Sequence, residues 1–177
     1  MDLVINMKKK LFIIGVGGLT GSKLVEIGKD DFEIFGSYNY RDPKSSIIKS
    51  VNLDITNSSK IRDILEKIKP DIVINTAGIN NVDYCEKYPN EATKINIQAV
   101  KEIYKITKEN QIKFVQLSSD SVFDGTEQLP YEETDNPKPI NYYGKTKIQS
   151  EKIVLENPIN VVVRASVLYG YLSHNLA

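Results

Sequence analysis

Tyr143 and Lys147 stand four residues apart in the run Tyr143-Gly144-Lys145-Thr146-Lys147. At that spacing a phenol and an ammonium share one face of a helix. A free tyrosine, with a pKa of about 10, is a weak proton donor at neutral pH. An ammonium beside it favours the phenolate and so makes the phenol a better acid. Such a pair is suited to protonating an oxygen while hydride reaches the adjoining carbon, which is half of a carbonyl reduction. Tyr-x-x-x-Lys also arises by chance in amphipathic helices, so the pair takes its meaning from the rest of the chain.

A hydride source needs a site of its own. Gly15-Val16-Gly17-Gly18-Leu19-Thr20-Gly21 follows one apolar run and opens another segment of helical period. A pyrophosphate requires this arrangement, with backbone close at hand and helix N-terminal N–H groups aimed at the anion. The spacing G-x-G-x-x-G fails here, because counting from Gly15 and Gly17 puts Thr20 at the third glycine. Gly15, Gly18 and Gly21 instead fit G-x-x-G-x-x-G, with Leu19 and Thr20 inside the turn. About 20 residues further on, a carboxylate would hold the ribose diol of NAD. The chain there reads Gly36-Ser37-Tyr38-Asn39-Tyr40-Arg41, with no acid before Asp42. Ser37 and Arg41 suit a 2′-phosphate, which favours NADP(H) while leaving NAD(H) open. Asp54 and Ile55 are placed to contact the adenine, and Asn75-Thr76-Ala77-Gly78 with Ile79 to border the cofactor. Asp54 reads equally well as a cap or loop residue, Arg41 as a solvated loop charge, and Gly78 as a strand-end turn.

The elements that must position these groups are legible as alternating β-branched runs and longer amphipathic segments, the pattern of repeated βαβ units. Strands are expected at 11–14, 33–37, 51–53, 72–74, 114–117 and 161–163. Helices are expected at about 19–29, from a cap at Asn57 or Ser58 to a stop at Pro70, at 91–110 through Ala92, Ile95, Ala99, Ile103 and Ile106, and across Tyr143 and Lys147. Nearly continuous apolar strands imply a parallel sheet covered by helices on both faces. The fold class is therefore α/β, a doubly wound parallel sheet forming one Rossmann-like dinucleotide-binding domain over 1–177, with its core at about 8–172.

Composition narrows the chemistry. Among 177 residues, 23 basic side chains balance 23 acidic ones, so no bulk field points to nucleic acid or an anionic membrane. Cys85 is the only cysteine and His174 the only histidine, which argues against a disulfide framework, a cysteine zinc site, any other catalytic metal and Ser-His-Asp chemistry. No apolar stretch approaches the roughly 20 residues that span a bilayer, and Met1–Met7 lacks the charge order of a secretory signal. A cytoplasmic location is expected, with no membrane or nucleic-acid partner. A homodimer is left open.

Taken in order, Gly15-x-x-Gly18-x-x-Gly21, Asn75-Thr76-Ala77-Gly78, Ser118-Ser119-Asp120-Ser121-Val122-Phe123-Asp124-Gly125 and Tyr143-x-x-x-Lys147 resemble the extended short-chain dehydrogenase/reductases. More narrowly they look like the dTDP-4-dehydrorhamnose reductase group, whose tyrosine helix also carries a glutamate where Glu151 stands. Val82-Asp83-x-Cys85-Glu86 and Arg164-Ala165-Ser166 with Tyr169-Gly170 fit as well, so the likeness spans about residues 8 to 172. It implies an NAD(P)H-dependent reduction of a 4-keto-deoxysugar nucleotide. Tyr143 would donate the proton, Lys147 would hold the nicotinamide ribose and tune Tyr143, Ser119 would hydrogen-bond the carbonyl oxygen, and Asp120 would contact the sugar nucleotide. Ser121 stands where the group has a tyrosine, and Val167 where some members carry a tryptophan, which leaves the sugar open. The group continues past this point into a smaller lobe, so the resemblance implies that a C-terminal substrate lobe is missing from a truncated chain, which would bind dinucleotide but turn over sugar nucleotide poorly. Two other functions share the pattern: a sugar-nucleotide epimerase or dehydratase, and a non-catalytic NADP-binding regulatory subunit like that of methionine adenosyltransferase.

Overall fold

A computed structural model describes residues 8–171, which leaves His174 and the segment 1–7 outside the described residues. The chain begins β1 (Lys9–Ile14), α1 (Leu19–Gly28), β2 (Phe32–Tyr38), β3 (Lys49–Asn52), α2 (Ser58–Ile68) and β4 (Ile72–Asn75), with no helix between β2 and β3. Two short helices follow, α3 (Val82–Lys87) and α4 (Pro89–Thr93), then a π turn at Lys94–Gln98 that runs into α5 (Ala99–Glu109). β5 (Lys113–Ser119), a 3-10 turn at Asp120–Val122, α6 (Tyr142–Val154) and β6 (Val161–Ala165) complete the order.

All six strands join one parallel sheet in the order β3-β2-β1-β4-β5-β6. Successive side chains of a strand face opposite sides, and in β1 both sides are covered. Phe12 and Ile14 enter a core with Val73, Phe114, Ile61, Leu65, Ile103 and Ile106, beneath α2 and α5. Leu11 and Ile13 enter a second core with Val25 of α1, Val16 and Ile34. A strand buried on both faces needs an unbroken apolar run, which is how Leu11-Phe12-Ile13-Ile14 reads.

Local chemistry sets the helix ends. Asn57 Oδ1 accepts from the Lys60 N–H at 3.0 Å and caps α2. At its other end Lys69 adopts a left-handed conformation (φ 51°), and Pro70 then prevents continuation. Asn141 Oδ1 accepts from Gly144 N at 2.7 Å and caps α6, while Glu86 of α3 accepts from Tyr142 N at 2.6 Å.

The single helix expected at 91–110 is not a single helix. Its apolar period does run through the region, but the π turn inserts an extra residue, and that turn carries Asn96, which is 3% exposed. Helices α3 and α4 are too short to show a period, and the sequence pattern alone did not reveal them. The third strand also ends one residue early, with Leu53 packed in the core beyond it. No helix among the described residues is long and apolar enough to cross a membrane.

Candidate active site

The sheet order reverses between β1 and β4, and ligands of doubly wound sheets bind outside the carboxyl ends of the strands at that point. A cleft of about 830 Å³ lies there, lined by Gly15 and Gly17 to Gly21 after β1, Ser37 and Arg41 from the end of β2 onward, Asp54 and Ile55 after β3, Ala77 to Ile79 after β4, Ser119 and Asp120 at the end of β5, and Tyr143 and Lys147 on α6.

The glycines of the turn do different work. Gly15 sits at φ +97°, and a Cβ there would meet Thr76 Oγ1 at 2.6 Å. A Cβ on Gly21 would strike the Gly15 carbonyl at 2.3 Å, so this glycine lets α1 pack on the turn. Gly17, outside the three-glycine spacing, is held against the loop after β2, since its Cβ would meet the Arg41 carbonyl oxygen at 2.1 Å. Gly18 differs from these. The nearest atom to a Cβ on it is the Gly15 carbonyl oxygen at 3.4 Å, so the fold itself leaves room there, on the wall of the cleft at the N-terminus of α1. That open backbone fits a pyrophosphate. Deeper in, the Ser37 hydroxyl is 1% exposed and has no hydrogen-bond partner among the described residues. An orphaned buried hydroxyl at the end of β2 fits a ligand oxygen at that place. Asp42, the first acid after β2, is occupied with the Tyr38 hydroxyl and the Lys44 N–H. Asp54 proves to be a turn residue as well as a cleft residue. Its Oδ1 accepts from the N–H and the hydroxyl of Thr56, which hold its pKa down.

Tyr143, Lys147 and Ser119 come together where α6 meets the end of β5. Gly144 makes this possible: a Cβ there would lie 2.1 Å from the Ser121 carbonyl oxygen, so only glycine lets the first turn of α6 press against the chain leaving β5. Tyr143 is 9% exposed and Lys147 7%. The Lys147 ammonium donates to the Leu117 carbonyl at 2.6 Å. Burial lowers its pKa to about 8, against the opposing pull of Glu151 and, more weakly, Cys85. Burial also raises the Tyr143 phenol, with the Ser119 hydroxyl drawing it partway back down. This corrects the expectation that Lys147 acidifies Tyr143. One proton of the ammonium goes to a backbone carbonyl, and the surroundings of the phenol favour its protonated form. Ser119 Oγ donates to Asp120 Oδ1 at 3.1 Å and accepts from Ser121 N at 3.2 Å.

Asn96 was not picked out from the sequence. Its Oδ1 accepts from Ile79 N at 2.8 Å, and its Nδ2 donates to Ile79 O at 2.9 Å and to Thr146 Oγ1 at 3.1 Å. Thr146 in turn donates to the Tyr143 carbonyl at 2.7 Å. Asn96 thus ties the strand-four wall of the cleft to α6. The available signal was an amide set inside the apolar run Ile95-Asn96-Ile97. Cys85 is a packed thiol, fully buried, with its pKa pushed up mainly by that burial. Ser118 Oγ donates to Glu151 Oε1.

Residues 9–177 match the family model described as the RmlD substrate binding domain. Among curated proteins, the "Probable low-salt glycan biosynthesis reductase Agl14" of Haloferax volcanii is 34% identical over 161 residues, covering 90% of this chain and 53% of that protein. Methionine adenosyltransferase 2 subunit beta of Bos taurus is 33% identical over 165 residues, covering 92% of this chain and 48% of that protein. The chain spans about half the length of the curated relatives it matches. Among solved structures, dTDP-4-dehydrorhamnose reductase from Bacillus anthracis in complex with NADP superposes with a TM-score of 0.81 at 31% identity, over 96% of this chain and 57% of that one. The chain belongs to the RmlD substrate binding domain family.

Proposed function

We propose that this member of the RmlD substrate binding domain family carries the dinucleotide-binding and proton-donating part of an NAD(P)H-dependent reductase of a 4-keto-deoxysugar nucleotide. Residues 1–177 form one dinucleotide-binding domain with its core at about 8–172. The observation that carries the reading is the convergence of Tyr143, Lys147 and Ser119 on the cleft that also holds the open Gly18 backbone.

Bound at the glycine turn, the nicotinamide cofactor supplies hydride to the carbonyl carbon. Tyr143, whose phenol is protonated at neutral pH, donates the proton to the carbonyl oxygen. The Ser119 hydroxyl turns from Asp120 to the same oxygen, which frees Asp120 for the sugar nucleotide. An ammonium has three protons to give, and Lys147 commits one to Leu117, which leaves others for a ribose hydroxyl. Gly15, Gly18, Leu19, Thr20 and Gly21 hold the pyrophosphate. Asp54, Ile55, Ala77, Gly78 and Ile79 border the rest of the dinucleotide. The orphaned Ser37 hydroxyl and the side chain of Arg41 receive a 2′-phosphate, which favours NADPH over NADH.

Titration with NADPH and NADH tests the cofactor half. NADPH is expected to bind more tightly, and Arg41→Ala to narrow the difference; a preference for NADH that survives Arg41→Ala counts against it. Tyr143→Phe tests the chemistry. Turnover is expected to fall by about 10² to 10⁴ with NADPH affinity unchanged, the usual contribution of a positioned general acid. The similarity to a methionine adenosyltransferase subunit favours a second reading, a binding subunit that docks on a partner. Partner regulation that is indifferent to Tyr143→Phe, with no turnover to lose, would select it.

A further inference from the structure

Glu151 lies one helical turn beyond Lys147 on α6, with its side chain 4% exposed. Its carboxylate accepts from Ser118 Oγ at 2.5 Å, from Arg164 Nε at 3.1 Å and from Arg164 Nη2 at 2.8 Å. Ser118 stands between Leu117, whose carbonyl receives the Lys147 ammonium, and Ser119. Helix α6 therefore grips the end of β5 at two successive residues, once through a cation and once through an anion. A buried carboxylate near a buried ammonium supports the charge that burial opposes. How much of that negative charge reaches Lys147 depends on Arg164, which shares it.

Arg164 is itself held from the loop between β5 and α6. Its guanidinium lies 5.1 Å from the centre of the Phe123 ring. Phe123 stacks on Tyr131 with centroids 4.1 Å apart and planes 9° from parallel. The Tyr131 hydroxyl donates to Asp124 at 2.8 Å. Other groups around the ammonium are Tyr143 on its own helix and Cys85 of α3, with Glu86 next to Cys85. Asp120, after β5, faces Tyr143, and Glu133 of the loop faces Arg164. Glu151 is the anion that sits one turn away on the same helix while also bonded to β5.

We propose that Glu151 and Arg164 are positioning residues that set the charge state of Lys147, so that the packing of the Phe123–Tyr131 loop is felt at the ammonium. The functional weight of this coupling rests on the reading of Lys147 given above; the coupling itself does not.

The test is the titration of the Lys147 amine by NMR on the chain alone, with the signal assigned by its loss in Lys147→Met. In Glu151→Gln the midpoint is expected to fall by about one pH unit, the lower end for removing a close opposite charge, and in Glu151→Asp to return toward wild type. In Arg164→Met the midpoint is expected to rise, because the carboxylate is no longer shared. A general loosening of the site would move both variants the same way, and that result, or an unmoved midpoint in Glu151→Gln, overturns the proposal. Should Glu151→Gln fail to fold, Arg164→Met decides alone, its side chain being already 23% exposed. NADPH titration of the same samples separates the two claims: a wild-type chain that ignores NADPH overturns the functional reading while the Lys147 shifts still decide this one.

Discussion

At Lys147, burial and charge pull against each other. Its pKa falls from 10.5 toward about 8 because the ammonium is buried, so between those values the unfolded chain binds more protons than the folded one. Stability therefore rises with pH across that window. A gap of about 2.5 pH units corresponds to about 3 kcal/mol. In urea unfolding, wild type is expected to gain on Lys147→Met between pH 8 and 10.5, and parallel curves would refute the assignment. Cofactor affinity should run the other way, weakening above pH 8 as the ammonium is lost. Tyr143 and Lys147 were legible as candidates because their types and spacing carry chemistry, whereas Ser119 became one only through the family resemblance. The target of Lys147 was not legible, because the Leu117 carbonyl belongs to a residue whose side chain advertises nothing. The same blindness hid the Asn96 link, whose partners at Ile79 are backbone atoms.

Among the elements, the glycine turn separates folding from binding. Gly21→Ala forces a Cβ onto the Gly15 carbonyl at 2.3 Å and Val16 Cα at 2.9 Å, and overpacking of this kind costs about 1 to 3 kcal/mol. Gly18→Ala meets nothing closer than 3.4 Å, so its unfolding midpoint should stay at the wild-type value while NADPH affinity drops about tenfold or more, that is, by at least about 1.4 kcal/mol. Equal losses of stability in the two variants would refute the division of labour. The spacing G-x-x-G-x-x-G located this turn but could not rank its members, because close contacts across space decide which glycine is structural. Gly17 owes its place to the backbone of Arg41, a residue in the next loop. The π turn escaped for a related reason. An inserted residue leaves the apolar stripe from Ala92 to Ile106 looking continuous, although the helix it marks changes pitch.

For the whole molecule, the cleft gathers residues from Ile14 to Leu168, so a dinucleotide bound there should stabilise the domain as a unit. At 100 times its dissociation constant, NADPH is expected to add about 2.7 kcal/mol to the unfolding free energy, read as a rise in melting temperature. A cofactor that leaves the melting temperature unmoved at that ratio would refute binding at this cleft. The parallel sheet itself was legible, since β-branched runs separated for the most part by helical segments leave little other architecture. The order β3-β2-β1-β4-β5-β6 has a further consequence for how the chain is made. Domains begin to form from the N-terminus as the ribosome releases them. Here β2 can add to β1 and β3 to β2; β4 then takes the other side of β1, and β5 and β6 extend outward from it. Each newly synthesised strand meets an edge that already exists, and none has to be threaded between two finished neighbours. Co-translational assembly can thus proceed by accretion, with the glycine turn present from the first strand and Tyr143 arriving only after the fifth.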